Sequence, residues 1–159
     1  MRLRAAAFLV AIVLAAATAR AQTAVFVVRH AEKFSEQDER LTDAGKARAA
    51  RLASMLRGSG IAAIYSTDTE RTIGTAKPLA DALGQKVRIY GAPPALVETL
   101  RKDNAGDVVL VVGHSNSVPA LLESLGCEEK VAIASDEYDN LFVAVPKKDG
   151  KATLLRLRY

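Results

Sequence analysis

Residues 108–112 read VVLVV, five apolar side chains with no polar residue among them. Successive side chains of a strand point to opposite faces, so a strand with one wet face alternates apolar and polar residues. A strand without alternation is covered on both faces. That is the condition of a central strand in a parallel sheet packed between helices. Residues 25–28 (VFVV) repeat the pattern at the other end of the chain. A fold with helices on both sides of a sheet is therefore required.

Other short runs supply the remaining strands: 61–65 (IAAIY), 86–90 (KVRIY), 141–145 (LFVAV) and 152–157. The stretches between them have helical period. In LTDAGKARAARLASMLRGSG, Thr42 is suited to the N-cap and Asp43 to the first turn. Gly45, Ala49, Leu52, Ala53 and Leu56 fall on one face, and Gly58 ends the helix. A second helix is expected from near Thr69 to about Leu83, kinked or split at Pro78. A third follows Pro93 and Pro94 and reaches about Lys102, and a fourth covers residues 116–125 before Gly126. The order β-α-β-α-β-α-β-α-β-β predicts a doubly wound α/β domain with a mostly parallel central sheet flanked by helices. The last two strands, joined through PKKDGK, read as a hairpin.

The start of the chain has a different character. Arg2 and Arg4 precede an apolar run over residues 5–19, and Ala19 and Ala21 have the spacing a signal peptidase requires. The run is shorter than the roughly 20 apolar residues of a spanning helix. Residues 1–21 are expected to be a signal peptide cleaved before Gln22, with residues 22–159 forming a single domain. The product would be periplasmic or secreted, with no stable membrane anchor. Arg2, Arg4 and Arg20 lie in that segment; without them 19 basic residues stand against 18 acidic ones. The mature charge is close to balanced and gives no electrostatic case for a nucleic-acid partner. The single Cys127 cannot form an internal disulfide and reads as a small core residue.

Chemistry concentrates at strand ends. The chain has two histidines, His30 after the first strand and His114 after the fourth. Carboxyl ends of parallel strands lie on one side of the sheet, where α/β folds bind ligands. Arg71, within STDTERT, falls in the first turn of the helix expected from near Thr69. A cation is mildly unfavourable there on its own, because helix N-termini attract anions. Arg29, Arg71, His30 and His114 can converge on one dianion, and a phosphoryl group fits such a set. Guanidinium groups bind phosphate oxygens two at a time. A neutral imidazole is able to attack phosphorus at neutral pH, and Arg29 beside His30 favours the neutral form. Two histidines without an Asp-x-Asp pattern or a Cys pair fall short of a metal-ligand set, and GSG at 58–60 lacks the Lys-Ser/Thr of a P-loop. No metal and no cofactor is expected.

The motifs VVRHAEK, LTDAGKARA, IYSTDTERTIGTA and VVGHSNSVPAL, in this order over roughly residues 24–125, resemble the histidine phosphatase superfamily, with its phosphoglycerate mutase-like fold. EYDNLF at 137–142 is similar to small exported members of that superfamily. The resemblance implies that His30 is the nucleophile that becomes phosphohistidine. It implies that Arg29, Arg71 and His114 hold the phosphate, with Ser115 and Asn116 as lesser contacts. The general acid stays open among three carboxylates. Glu32 lies close to the nucleophile and is the leading candidate. Glu98 occupies the position of the family's Glu after the third strand, but the buried pattern of Leu96, Val97 and Leu100 turns it toward solvent. Glu137 is the third. The acid branch of the superfamily carries an Asp directly after the second histidine, where this chain has Ser115.

The expectation is a metal-independent phosphatase that works through phosphohistidine on a monoester or phosphoramidate, borne by a small molecule or a macromolecule. Two alternatives remain: a phosphomutase, and a module that binds a phosphorylated ligand without turnover.

Overall fold

The computed structural model describes residues 24–159, so the expected signal peptide lies outside the described residues. Six strands and four helices follow in the predicted order. They are β1 (Ala24–Arg29), α1 (Asp43–Leu56), β2 (Ile61–Ser66), α2 (Glu70–Leu83), β3 (Val87–Ile89), α3 (Pro93–Asp103), β4 (Val108–Gly113), α4 (Ser117–Ser124), β5 (Asn140–Pro146) and β6 (Ala152–Arg158). They build one sheet of order β3-β2-β4-β1-β5-β6. β3, β2, β4 and β1 run parallel, and β5 and β6 add an antiparallel edge.

The unalternating strands stand at the centre, as their composition requires. Val109, Leu110, Val111 and Val112 of β4 and Val25, Val27 and Val28 of β1 have no exposed surface. One face packs Val25, Val27, Val109 and Val111 against Leu96, Val97, Leu100, Leu121 and Leu122 of α3 and α4. The other packs Val28, Leu110 and Val112 against Leu52, Leu56, Ala76 and Leu79 of α1 and α2. Cys127 is buried and unbridged. None of the described helices is long and apolar enough to cross a membrane.

Two local features differ from expectation or sharpen it. Helix α2 runs through Pro78 as one element instead of splitting there. Buried Thr75, Ala76, Leu79 and Ala80 anchor both sides of the proline, so tertiary packing offsets the lost backbone bond. Helix α1 begins as predicted: the Gly45 N–H donates to the Thr42 hydroxyl at 3.1 Å. The Thr42 N–H in turn donates to the Glu32 carbonyl at 3.0 Å, tying the start of α1 to the loop after β1.

Gly45 makes that contact sterically possible. A Cβ on Gly45 would lie 2.2 Å from the Glu32 carbonyl oxygen, and the clash is with backbone. Gly45→Ala is expected to cost about 1–3 kcal/mol, as overpacking does, despite the better helix propensity of alanine. Urea unfolding of the variant beside wild type measures this directly, and an unchanged or raised midpoint would show that the loop yields freely.

Candidate active site

The register of β1 and β4 brings the two histidines together. Arg29 pairs with Gly113, the last residues of two parallel neighbouring strands. The next residues are His30 and His114, and the His30 N–H extends the ladder by donating to the Gly113 carbonyl at 2.8 Å. Their rings meet edge to face with centroids 5.5 Å apart. β2 ends beside β4, with Ser66 opposite Val112, and delivers Arg71 through the first turn of α2. A cleft of about 490 Å³ is lined by Arg29, His30, Lys33, Glu36, Arg71, His114, Ser115 and Asn116. All six residues expected around a phosphate lie there, at the carboxyl ends of the parallel strands.

Each imidazole has a tautomer fixed by its neighbours. His30 is 4 % exposed, and its Nδ1–H donates to the Ala31 carbonyl at 2.8 Å. The unprotonated nitrogen is then Nε2. Burial pushes the His30 pKa down to about 4; the Ala31 hydrogen bond opposes this, and the charges of Arg29, Arg71 and His114 add to the lowering. His114 Nε2 lies 2.8 Å from the Thr67 hydroxyl, which itself donates to the Thr72 hydroxyl at 3.0 Å. Thr67 therefore accepts from His114 Nε2–H. Nδ1 is left to accept from Arg71 Nη2 at 3.3 Å. Burial and the Arg71 charge push the His114 pKa down as well, against an opposing pull from Glu39.

These shifts predict a titration. An NMR titration of the two imidazoles should find His30 neutral, protonated at Nδ1, down to about pH 4. His114 should be neutral with its proton on Nε2. Stability follows with a definite sign. A histidine held neutral favours the folded state above its unfolded pKa of 6.5, and this contribution is lost as pH falls from 6.5 toward 4. An ordinary His30 midpoint near 6.5 would mean that the ring is solvated instead of buried.

The arginines are held differently. Arg29 Nη1 donates to the carbonyls of Ala134, Ser135 and Glu137 at 2.8, 2.9 and 3.0 Å. Its guanidinium carbon lies 4.1 Å from the centroid of the Tyr138 ring. Arg29 thus anchors the loop before β5 as well as lining the cleft. Arg71 pairs through Nη1 with the Glu39 carboxylate. The Nε atoms of both arginines are buried without a protein partner. Buried donors of this kind are normally paired, and an anion among them satisfies that requirement.

The three acid candidates lie outside this cleft. The Glu32 carboxylate is turned to Arg48, accepting from Nε at 3.0 Å and from Nη2 at 2.8 Å. Burial raises the Glu32 pKa, but the Arg48 hydrogen bonds and charge outweigh it and leave it below the ordinary value. In this structure Glu32, the leading acid candidate, is the partner of Arg48 and braces α1 against the loop after His30. Glu98 is exposed on α3, as its helix pattern required. Glu137 accepts from the Ala134 N–H at 3.0 Å and pairs with Arg158 at 3.3 Å. Those bonds, with Ala134 first, hold it below the ordinary carboxyl value.

Sequence reasoning missed four residues around the cleft. Thr67 orients His114, Tyr138 stacks on Arg29, and Glu36 and Glu39 come from the loop after β1. Thr67 is one of several hydroxyls in STDTERT, and Glu39 one of several charges in SEQDER, so spacing gave no signal for either. Among the described residues, no group of three or more His, Cys, Asp or Glu side chains has the placement to hold a metal.

The family model of the histidine phosphatase superfamily (branch 1) matches residues 25–91, from β1 to just past β3. No curated protein matches the chain in sequence. Solved structures match over most of its length. The protein histidine phosphatase SixA, complexed with tungstate, superposes with a TM-score of 0.69 at 19 % identity, covering 85 % of this chain and 96 % of its own. A mycobacterial glucosyl-3-phosphoglycerate phosphatase superposes at 0.65 and 13 % identity, covering 86 % and 97 %. A phosphoserine phosphatase from Entamoeba histolytica, solved with 3-phosphoglyceric acid, superposes at 0.65 and 15 % identity, covering 86 % and 97 %. These likenesses carry the fold, an α/β sheet of the phosphoglycerate mutase-like kind. The match from β1 to just past β3, with the RH motif at its start, makes this part of the chain similar to the histidine phosphatase superfamily.

Proposed function

We propose that the protein is a phosphatase that transfers a phosphoryl group to His30 and hydrolyses the resulting phosphohistidine. The observation that carries this reading is the state of His30. Its Nδ1–H is committed to the Ala31 carbonyl, which leaves the Nε2 lone pair unprotonated. A pKa near 4 keeps that lone pair free at neutral pH. In the first step Nε2 attacks phosphorus, the bond to the leaving group breaks, and the leaving group takes its proton from solvent. In the second, water attacks phosphorus and releases a proton to solvent, the N–P bond breaks, and His30 recovers its lone pair. Arg29 and Arg71 neutralise the equatorial oxygens, which is most of what phosphoryl transfer requires. His114, held by Thr67, adds a ring edge on the same group.

The substrate is a phosphomonoester or a phosphoramidate. With Glu32 and Glu137 tied to arginines and Glu98 facing solvent, the phosphoramidate side of that choice gains support. A nitrogen leaving group is expelled with less help from an acid than an alkoxide is. The same reading includes export, with residues 1–21 removed and a mature terminus at or near Gln22.

Phosphate release measured in EDTA from phosphohistidine and from a set of monoesters tests the reading. Release is expected to continue with chelator, and to be faster for phosphohistidine than for alkyl phosphates. Loss of release with EDTA, restored by added metal, would overturn the metal-independent mechanism. Tight binding without release from any compound would favour the binding-module alternative.

A further inference from the structure

The segment 33–41 contributes Lys33 and Glu36 to the lining of the cleft. It is closed by a bridge between Lys33 and Leu41 and by the Phe34 N–H donating to the Arg40 carbonyl at 3.2 Å. It brings two carboxylates to the cations of the site. Glu36 pairs with Lys33 Nζ at 2.7 Å, and Glu39 pairs with the Arg71 guanidinium. Three cations line the cleft: Arg29, Lys33 and Arg71. Arg29 has one Nη on three carbonyls, Lys33 carries Glu36, and Arg71 carries Glu39 and His114. A phosphoryl group brings up to two negative charges and takes up Arg29 and Arg71. No unengaged cation then remains in the lining for a second anionic group, and the Glu39 carboxylate stands on the guanidinium that the phosphoryl group must share.

The geometry points to Glu39, supported by Glu36, as the specificity-determining residue of the site. The cleft accepts a phosphoryl group whose leaving group is cationic or carries an N–H donor near phosphorus. It turns away one with a carboxylate or a second phosphate in that place. This rests on the phosphatase reading for the identity of the leaving group, and it divides the substrate class that reading left whole. A phosphoryl group on an imidazole falls on the favoured side, and a phosphorylated hydroxy acid on the other. Glu39 acts by charge: like charges placed together across a contact disfavour the wrong ligand.

Two non-hydrolysable phosphonates of similar size separate the outcomes, with calorimetric binding measured on the full-length chain. One is 2-aminoethylphosphonate, the other 3-phosphonopropionate. At low salt the amine compound is expected to bind on the order of tenfold more tightly, the scale of one charge contact near a protein surface. The ratio should shrink as salt is raised, because exposed charges are screened. Glu39→Gln should bring the ratio to within about twofold by strengthening binding of the carboxylate compound more than of the amine. Glu98→Gln, changed on exposed α3, should keep the wild-type ratio. Equal affinities in wild type, or a ratio unmoved by Glu39→Gln, would overturn the inference. Neither phosphonate is turned over, so catalysis does not enter the result. A chain that prefers the amine compound but releases no phosphate refutes the phosphatase reading and leaves the charge selection standing. A chain that binds neither overturns the charge selection, while phosphate release from phosphohistidine decides the phosphatase reading separately.

Discussion

His30→Ala is expected to reduce phosphate release by roughly 10⁵–10⁶-fold, the scale on which removal of an enzyme nucleophile is felt. No other group in the cleft offers an unprotonated ring nitrogen in the same state. His114 has Nε2–H on Thr67 and Nδ1 against Arg71. The variant should still fold, because His30 contributes one side-chain hydrogen bond to a backbone carbonyl and caps no helix. It should also be less sensitive to acid. Wild type loses the stabilising effect of a neutral His30 as pH falls from 6.5 toward 4, and a chain without that ring does not. Steady-state release with thermal melts at pH 7 and pH 5 tests both parts. Wild-type release from the variant would remove His30 from the mechanism.

Arg29→Ala and Arg71→Ala should slow turnover to a similar extent but separate in stability. Each removes one cation from the transition state, for which about 10²–10³ in rate is the expected scale. Arg29 additionally holds three carbonyls of residues 134–137 and stacks on Tyr138. Hydrogen bonds from a charged donor are each worth about 1.5–3 kcal/mol, and the freed carbonyls partly regain water. A loss of about 2–4 kcal/mol is expected for Arg29→Ala. Arg71 holds Glu39 and His114 but no backbone carbonyl through its side chain, so its removal should cost less, about 1–2 kcal/mol. Chemical denaturation of the two variants side by side decides the matter, and equal losses would contradict the anchoring role of Arg29.

The apolar strands made the architecture legible. VVLVV has only one comfortable place, between two layers of helix, and both layers are present. The helix faces were equally clear: Gly45, Ala49, Leu52, Ala53 and Leu56 are the buried residues of α1. Pro78 does not split α2, because propensity acts locally whereas the packing on either side of it acts through the core. At the site, the two histidines and two arginines were legible from their positions at strand and helix ends. The carboxylates were not. Glu32 is nearest His30 in sequence, yet its side chain leaves the cleft for Arg48, a partner sixteen residues away. Glu39 reaches Arg71 across a turn closed by the Lys33–Leu41 bridge and the Phe34 N–H to Arg40 carbonyl bond, neither of which any periodicity announces. Charged loop residues take partners through tertiary geometry, and sequence distance is a poor guide to it.

The central claim is that the phosphoryl group passes through His30 Nε2. The most direct measurement is to quench the wild-type chain during turnover, keep it at alkaline pH where phosphohistidine survives, and locate the added phosphoryl group by mass spectrometry of its peptides. The group is expected on His30 and is expected to be absent from His30→Ala. A phosphoryl group on His114 or a hydroxyl side chain, with turnover intact, would contradict it.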